Sequence, residues 1–369
     1  MTSKIALLQA NPIVGDISGN AEMIRNLAKI AADAGASFAV TTELAISGYP
    51  PRDLLLQSDF VSECHKIASS LETDIPVLVG TPVPPNTDRS LPGNGVVRAG
   101  DSVREVTRKQ LLPTYDVFDE ARYFEADERP GIARTIAGLD IGVTICEDAW
   151  QHCGATPNDY DSDPIAQIVE WGRQGVVLDA TVNLSASPYH ADKSGIRLAV
   201  ARGAASSLNH PFLLANQVGG NDDLLFDGRS IIAWPDGRAV VGPAWSQGVL
   251  LTDLSNPEAC KWLGDGEITI LKPGEDLEED ENDLLDAIII GLADYCRKSG
   301  ISKIVLGLSG GIDSALAACV ASAAVGAQNV TGISMPSKHS SQHSIDDAKA
   351  TAEALGLNFI IQPITDLHD

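Results

Sequence analysis

Short apolar runs alternate along this chain with longer segments whose apolar residues recur every three or four positions, the pattern of buried strands followed by amphipathic helices. Residues 4–10, KIALLQA, predict a buried strand, and 20–34 set Met23, Leu27, Ile30 and Ala34 on one helical face. Residues 37–43 predict a second strand presenting Glu43 at its end, before the Gly- and Pro-rich loop LAISGYPPRD. A helix over 60–71 and a strand over 76–81 follow. Hairpins are predicted at 95–98 with 102–107, turning at Ala99-Gly100-Asp101, and at 135–145, turning at Gly138-Leu139-Asp140 and running into Cys146. Further on come a helix at 164–173, a strand at 176–183, a helix at 196–208, and strands at 212–218, 230–234, 239–241 and 249–253. Two α/β halves with several hairpins fit a sheet-on-sheet core covered by helices.

The pattern then breaks. Residues 275–283, EDLEEDEND, hold seven acids in nine positions, too charged for a core, and predict a linker or the solvated start of a helix. Beyond it lie a helix at 284–298, a strand at 303–308, the turn SGGIDS, a helix at 315–324, a strand at 330–335, a helix at 344–355 and a strand at 359–363. That is the βαβαβ opening of a parallel sheet. The expected domains are 1–265, an acidic linker at 266–283, and 284–369.

With 369 residues, 44% of them hydrophobic, the chain is long enough for two separate cores. A net charge of −24 disfavours nucleic acid and acidic membrane surfaces, so an anionic substrate needs a local site such as a helix N-terminus. No apolar run is long enough to span a bilayer, and MTSKIALLQANP lacks the layout of a signal peptide, which predicts a cytoplasmic location. Cys64, Cys146, Cys153, Cys260, Cys296 and Cys319 form no CxxC pair and no metal-ligand cluster, so each is read singly.

Cys146 is the cysteine placed for chemistry, since a strand that delivers a thiol into a turn suits a nucleophile. A buried cysteine there is also commonly inert, and Glu147 and Asp148 would oppose a thiolate. A reactive Cys146 therefore needs a cation and a base from elsewhere. Glu43 and Lys109 also fall at or just past strand ends. Glu43 would take the thiol proton, while Lys109 would hold Cys146 as thiolate and stabilise the oxyanion of a tetrahedral intermediate. Such a trio attacks a carbonyl, forms a thioester and releases an amine. Each residue alone reads as readily as a capping acid or a surface cation.

TTELAISGYPPRDLL, RKQLLPTYDVFDEARYF and GVTICEDAW together resemble the glutamine-hydrolysing domain of the glutamine-dependent NAD synthetases, within the nitrilase superfamily. The resemblance covers almost the whole first domain. It implies a four-layer α-β-β-α sandwich and a catalytic triad of Glu43, Lys109 and Cys146, with Glu120 as a second acid near the lysine. VNLSASPYHADK is similar to the segment lining the family's glutamine pocket, which implies Ser185, Ser187 and Lys193 there, with Tyr115 and Glu147. A free amino acid carries an ammonium and a carboxylate, and both must be paired if desolvated.

In LGLSGGIDSA two glycines between a strand and a helix let backbone N–H groups approach an anion, without the spacing or lysine of a Walker A loop. The segment resembles the PP-loop of the N-type ATP pyrophosphatases, a Rossmann-like α/β fold. That implies pyrophosphate held by Ser309, Gly310, Gly311, Ile312, Asp313 and Ser314, with Asp313 a magnesium contact. MPSKHSSQHSIDDA is similar to the family's mobile second phosphate loop, carrying Ser337, Ser341 and Ser344, and Ser344 is the expected N-cap of the helix after it. The joint reading is glutamine hydrolysis at Cys146, with ammonia passed on for ATP- and Mg2+-dependent amidation of nicotinic acid adenine dinucleotide to NAD. No permanently bound cofactor is expected.

The family's synthetase domain runs roughly twice as far as the stretch ending at Asp369, so the resemblance implies an incomplete second domain, unable alone to make NAD. A homo-oligomer is expected for the full-length protein. An amidase of the same fold acting on another amide, and an inactive assembly module, are the competing readings.

Overall fold

The apolar runs of the first part of the chain close into two sheets stacked face to face. The computed structural model describes residues 4–87, 90–101, 104–157, 159–279 and 281–364. In chain order the elements are β1 (Lys4–Gln9), α1 (Ile17–Asp33), β2 (Phe38–Val40), α2 (Ser58–Ser69), β3 (Val77–Val83), β4 (Gly93–Ala99), β5 (Arg104–Arg108), β6 (Gly131–Ile136) and β7 (Leu139–Ile145). Next come α3 (Pro164–Arg173), β8 (Ala180–Ser185), α4 (Lys193–Leu208), β9 (Phe212–Asn216), β10 (Val218–Asn221), β11 (Leu224–Asp227), β12 (Ile231–Ala233), β13 (Ala239–Val241), β14 (Gly248–Asp253), β15 (Lys261–Gly264) and β16 (Thr269–Leu271). The remainder is α5 (Asp283–Lys298), β17 (Ile304–Gly307), α6 (Ile312–Val325), β18 (Val330–Ser334), α7 (Gln342–Leu355) and β19 (Asn358–Ile361). The chain divides into two compact units, Met1–Gly219 with Leu224–Glu279, and Gly220–Asp223 with Asp280–Asp369.

In the first unit one seven-stranded sheet runs β15-β14-β1-β2-β3-β4-β5 and the other β16-β13-β12-β9-β8-β7-β6. Because side chains alternate across a strand, β1 sends Ile5 and Leu7 into the core between the sheets, where they meet Phe38, Leu78, Val143, Val182 and Leu213. Its other face, Ala6 and Leu8, packs with Ile24 and Leu27 of α1 and Cys64 of α2. On the far sheet, Phe212, Leu214, Ile231 and Val241 pack with Leu198 and Ala201 of α4 and Ile165 of α3. The result is the α-β-β-α sandwich that the resemblance implied. Both faces of the central strands are buried, which is why they read as unbroken apolar runs rather than alternating ones. Side-chain caps set the helix starts: Asp16 accepts from the Gly19 N–H, and Asp163 precedes Pro164 at the head of α3.

Several boundaries differ from the sequence expectation. The strand expected at 37–43 stops at Val40, because Thr41 Oγ1 accepts the Gly80 N–H (2.9 Å) and the chain turns, putting Glu43 on a bend. The run 212–218 divides into β9 and the start of a β10-β11 hairpin. The segment 266–283 is not linker throughout. Thr269–Leu271 pairs with β13, and Leu277 packs against the core beneath α4. Two apolar residues suffice for an edge strand, too short a run to see in sequence.

In the second unit β17, β18 and β19 form a parallel sheet in that order, with Ile304 opposite Val330 and Ile333 opposite Ile360. Leu308, Ala318, Ala348 and Ala352 make its core. The cap of α7 is Ser341, whose hydroxyl accepts the Ser344 N–H (3.2 Å), so the helix starts earlier than a Ser344 cap would allow. Among the described residues, no helix is long and apolar enough to cross a membrane.

Candidate active site

β7 ends at Ile145, and Cys146 turns with φ of 42°, the left-handed region that a residue bearing a Cβ adopts only when its surroundings impose it. Asp148 is one source of that constraint. Its Oδ1 accepts the backbone N–H groups of Gln110 (3.0 Å) and Leu111 (2.9 Å), and its Oδ2 that of Ile145 (3.0 Å). One carboxylate thus ties the residues following Lys109 to the residue preceding Cys146. Burial pushes its carboxyl up to about 7, against the pull of those N–H groups. From the other side, Asn183 Nδ2 donates to the Cys146 carbonyl oxygen (3.3 Å), while Ser185 Oγ donates to Asn183 Oδ1 (2.6 Å).

Lys109 lies at the mouth of β5, wholly buried. Its Nζ donates to Glu43 Oε1 (2.8 Å) and to both oxygens of Glu120 (2.8 and 2.7 Å). Glu43 is fixed further by Asn94 Nδ2 (2.7 Å) and by the Ala186 N–H on Oε2 (3.1 Å); Glu120 accepts the Tyr49 hydroxyl (2.8 Å). Burial alone would lower the lysine, but Glu120 and Glu43 hold it well above its ordinary value, so it stays an ammonium. Two carboxylates then share one cation. Burial lifts Glu120 to about 7, with Lys109 pulling down and Glu43 pushing up.

Cys146 feels the same group of charges. Burial and then Glu43 raise its thiol well above the ordinary value, and Lys109 offsets only part of this. Lys109 thus pulls toward the expected thiolate, while burial and Glu43 favour the thiol. The thiol proton must leave as the sulfur attacks, which makes a neighbouring base indispensable.

The residues matched to the pocket separate into two sets. Glu147 Oε1 accepts hydroxyls from Tyr115 (2.7 Å) and from Tyr160 (3.2 Å). Lys193, the first residue of α4, sets its Nζ 4.3 Å from the centre of the Trp150 ring; burial and Arg197 lower its pKa. Ser187 is buried with its N–H on Asn216 Oδ1 (2.9 Å). Ser185 is fully buried and its hydroxyl donates to Asn183, the residue that in turn donates to the Cys146 carbonyl.

In the second unit, Ser309 to Ser314 form the tight turn after β17 and the first turn of α6. Ser314 Oγ donates to the Gly311 carbonyl (2.9 Å) and accepts the Ser309 N–H (3.2 Å), and Ser309 Oγ lies 3.1 Å from Ser314 Oγ. Gly310 has φ of 80°, and a Cβ there would lie 2.3 Å from the Ser344 carbonyl oxygen, so the loop needs glycine on both counts. A cavity of about 470 Å³ opens beside the loop, lined by Ser309, Ser334, Met335, His339, Ser341 and Ser344 among others. Asp313 does not line it. That residue borders an apolar groove with Leu284, Ile288 and Leu316, while Ile312 is exposed and Ser337 is bonded within its own turn.

The carbon-nitrogen hydrolase family model matches residues 4–262. This chain belongs to the carbon-nitrogen hydrolase family. The NAD synthase model matches residues 284–369. Glutamine-dependent NAD(+) synthetases of Synechocystis sp. and Aquifex aeolicus are 40% and 34% identical, over 98% and 99% of this chain, of which it spans 64% and 66%. The solved glutamine-dependent NAD+ synthetase of Acinetobacter baumannii, in complex with ADP, superposes with a TM-score of 0.83 at 29% identity, covering 99% of this chain and 65% of that one. An amidase from Nesterenkonia sp. shares the fold of 69% of this chain at a TM-score of 0.54 and 20% identity, covering 90% of its own. The chain thus spans a little under two thirds of these synthetases.

Within this carbon-nitrogen hydrolase unit, sequence reasoning missed Tyr49, Asn94, Asp148 and Tyr160. Asp148 stood inside the quoted motif but was weighed only as a repulsive charge, when its bonds are to backbone N–H groups. Tyr160 sits in the irregular stretch before α3 and has no sequence pattern that marks it; only the fold brings it to Glu147.

Proposed function

We propose that this chain hydrolyses the side-chain amide of L-glutamine at Cys146. We propose further that the whole protein uses the ammonia to amidate adenylated nicotinic acid adenine dinucleotide to NAD, in the cytoplasm. The observation that carries the first half is a buried ammonium, Lys109, fixed between two carboxylates beside a cysteine held in a strained turn. The second half is supported by the match of 284–369 to the NAD synthase model and by the glycine-dependent loop beside a cavity.

In this reading Cys146 Sγ attacks the amide carbon as Glu43 takes the thiol proton. The carbonyl oxygen gains charge near Lys109, whose ammonium is already paid for by Glu43 and Glu120 and needs no reorganisation. Collapse passes the proton to the departing nitrogen, releases ammonia and leaves a thioester, which water hydrolyses with Glu43 as base. Glu120 and Tyr49 keep Lys109 from following Glu43. Glu147 pairs the substrate ammonium and Lys193 its carboxylate, which gives preference for an amino acid over a simple amide.

ATP with Mg2+ enters as substrate. Among the described residues no three His, Cys, Asp or Glu side chains gather as a metal site. Asp313 borders an apolar groove and not the cavity beside the loop, so the residues of this structure do not fit the expected Mg2+ contact there, and Mg2+ would be carried by the phosphate oxygens of ATP. The test is glutamate release from glutamine. Cys146→Ala should abolish it and Lys109→Ala should lower kcat by about 100- to 1000-fold, the scale of a lost oxyanion partner. Either variant staying within a few-fold of the parent removes that residue from the mechanism.

A further inference from the structure

The pairing of Glu147 with two phenols is more than a single salt-bridge acceptor needs. Tyr115 and Tyr160 reach it from opposite directions along the chain, one from the loop after Lys109 and the other from the segment between the cysteine turn and α3. Both donate to Oε1. Among the described residues, no group donates to Oε2. The Tyr160 segment is itself fastened, since Gln151 Oε1 accepts from Thr156 Oγ1 (2.7 Å) and from the Tyr160 N–H (3.4 Å), and Gln151 follows directly on the cysteine turn. Burial followed by Glu147 raises both phenols above their ordinary pKa, so each remains a donor throughout the physiological range.

We infer that Tyr160 is a positioning residue for substrate selection: with Tyr115 it holds Glu147 through Oε1 so that Oε2 is presented to the α-ammonium of the amino-acid substrate. This rests on the proposed glutamine reaction and deepens it. A carboxylate on a side chain with three free torsions would otherwise have to be ordered by the substrate itself, at a cost in affinity. Two hydroxyls on one oxygen remove that cost beforehand and leave the second oxygen's lone pairs for a charged donor. The role requires no movement and no new chemistry at sulfur, so it separates cleanly from catalysis. Tyr160 also differs from Tyr115 in place, since its segment follows the nucleophile while that of Tyr115 follows Lys109.

The experiment compares L-glutamine with glutaramic acid, which is glutamine without its amino group. In Tyr160→Phe, which keeps the ring, KM for glutamine should rise about three- to five-fold with kcat within about two-fold, the loss expected for one hydrogen bond. Hydrolysis of glutaramic acid, as kcat/KM, and the rate of Cys146 alkylation by iodoacetamide should both match the parent. Equal losses for both substrates, or slowed alkylation, would show a general structural role and overturn the inference. So would an unchanged KM for glutamine. A parent that releases no ammonia from glutamine overturns the underlying reaction, an outcome distinct from an active parent matched by its Tyr160→Phe variant.

Discussion

At the scale of single residues the site is governed by three buried carboxylates, Glu43, Glu120 and Asp148, set around one ammonium. Glu120 makes the clearest test, because burial and Glu43 lift it from an ordinary 4.5 to about 7. A carboxyl that holds its proton more tightly in the folded than in the unfolded chain favours folding below its unfolded pKa. That contribution is lost as pH rises from about 4.5 to about 7. Asp148, lifted to about 7, acts in the same direction, whereas burial lowers His210 to about 4 and it opposes them between about 4 and 6.5. Comparing Glu120→Gln with the parent isolates the glutamate. The variant should show a shallower loss of stability from pH 4.5 to 7 in urea unfolding, and an unchanged slope would refute the shift. The same variant should lower the glutaminase rate about 10- to 100-fold, since the amide no longer anchors Lys109 with a charge. Cys146, Lys109 and Glu43 could be named from sequence because each falls at or just past an apolar run within a motif, although the structure puts Glu43 on a bend beyond β2. The sequence showed Glu147 opposing a thiolate, but not the burial of Cys146 or the closeness of Glu43, which together raise the thiol further than Lys109 lowers it.

At the scale of elements, the site is held by close backbone approach as much as by side chains. Gly80 in β3 lies against the bend that carries Glu43, and a Cβ there would come within 2.3 Å of the Thr42 carbonyl oxygen and 2.7 Å of the Leu44 nitrogen. Leu44 already has φ of 47°, so the bend has little slack. Gly80→Ala should therefore push the bend away from Lys109. Overpacking of this kind costs about 1–3 kcal/mol, and Tm should fall by roughly 3 to 10 °C. Activity should fall further than stability explains, by about ten-fold or more at a temperature where the variant is fully folded. A variant with lowered Tm and parental kcat would show that the bend re-forms. The strands themselves were largely legible, since β1, β3, β7 and β13 coincide closely with their apolar runs. What was not legible were β15, a four-residue strand carrying only Trp262 and Leu263 as apolar residues and pairing with its neighbour β14; β16, whose partner β13 lies some thirty residues back; and the early end of β2, which a hydroxyl to backbone bond decides.

At the scale of the whole molecule, the two candidate chemistries reside in different units. Glu43, Lys109, Glu120, Cys146 and the pocket residues lie within Met1–Gly219, while the SGGIDS loop and its cavity lie within Asp280–Asp369. The acidic run 275–283 spans the change of unit at Glu279, and the first unit extends past residue 265 because β16 joins its sheet. Two sites built from separate cores should fail separately. Gly310→Ala forces a side chain into a left-handed position against Ser344, so the loop must open, and ATP affinity by calorimetry should fall about ten-fold or more where the parent binds measurably. Glutamate release by the same variant should stay within about two-fold of the parent. Conversely, Cys146→Ala should bind ATP as the parent does while releasing no glutamate. Loss of glutaminase activity in Gly310→Ala with its fold intact would mean that the loop acts on Cys146, and that the hydrolase unit does not carry its reaction by itself.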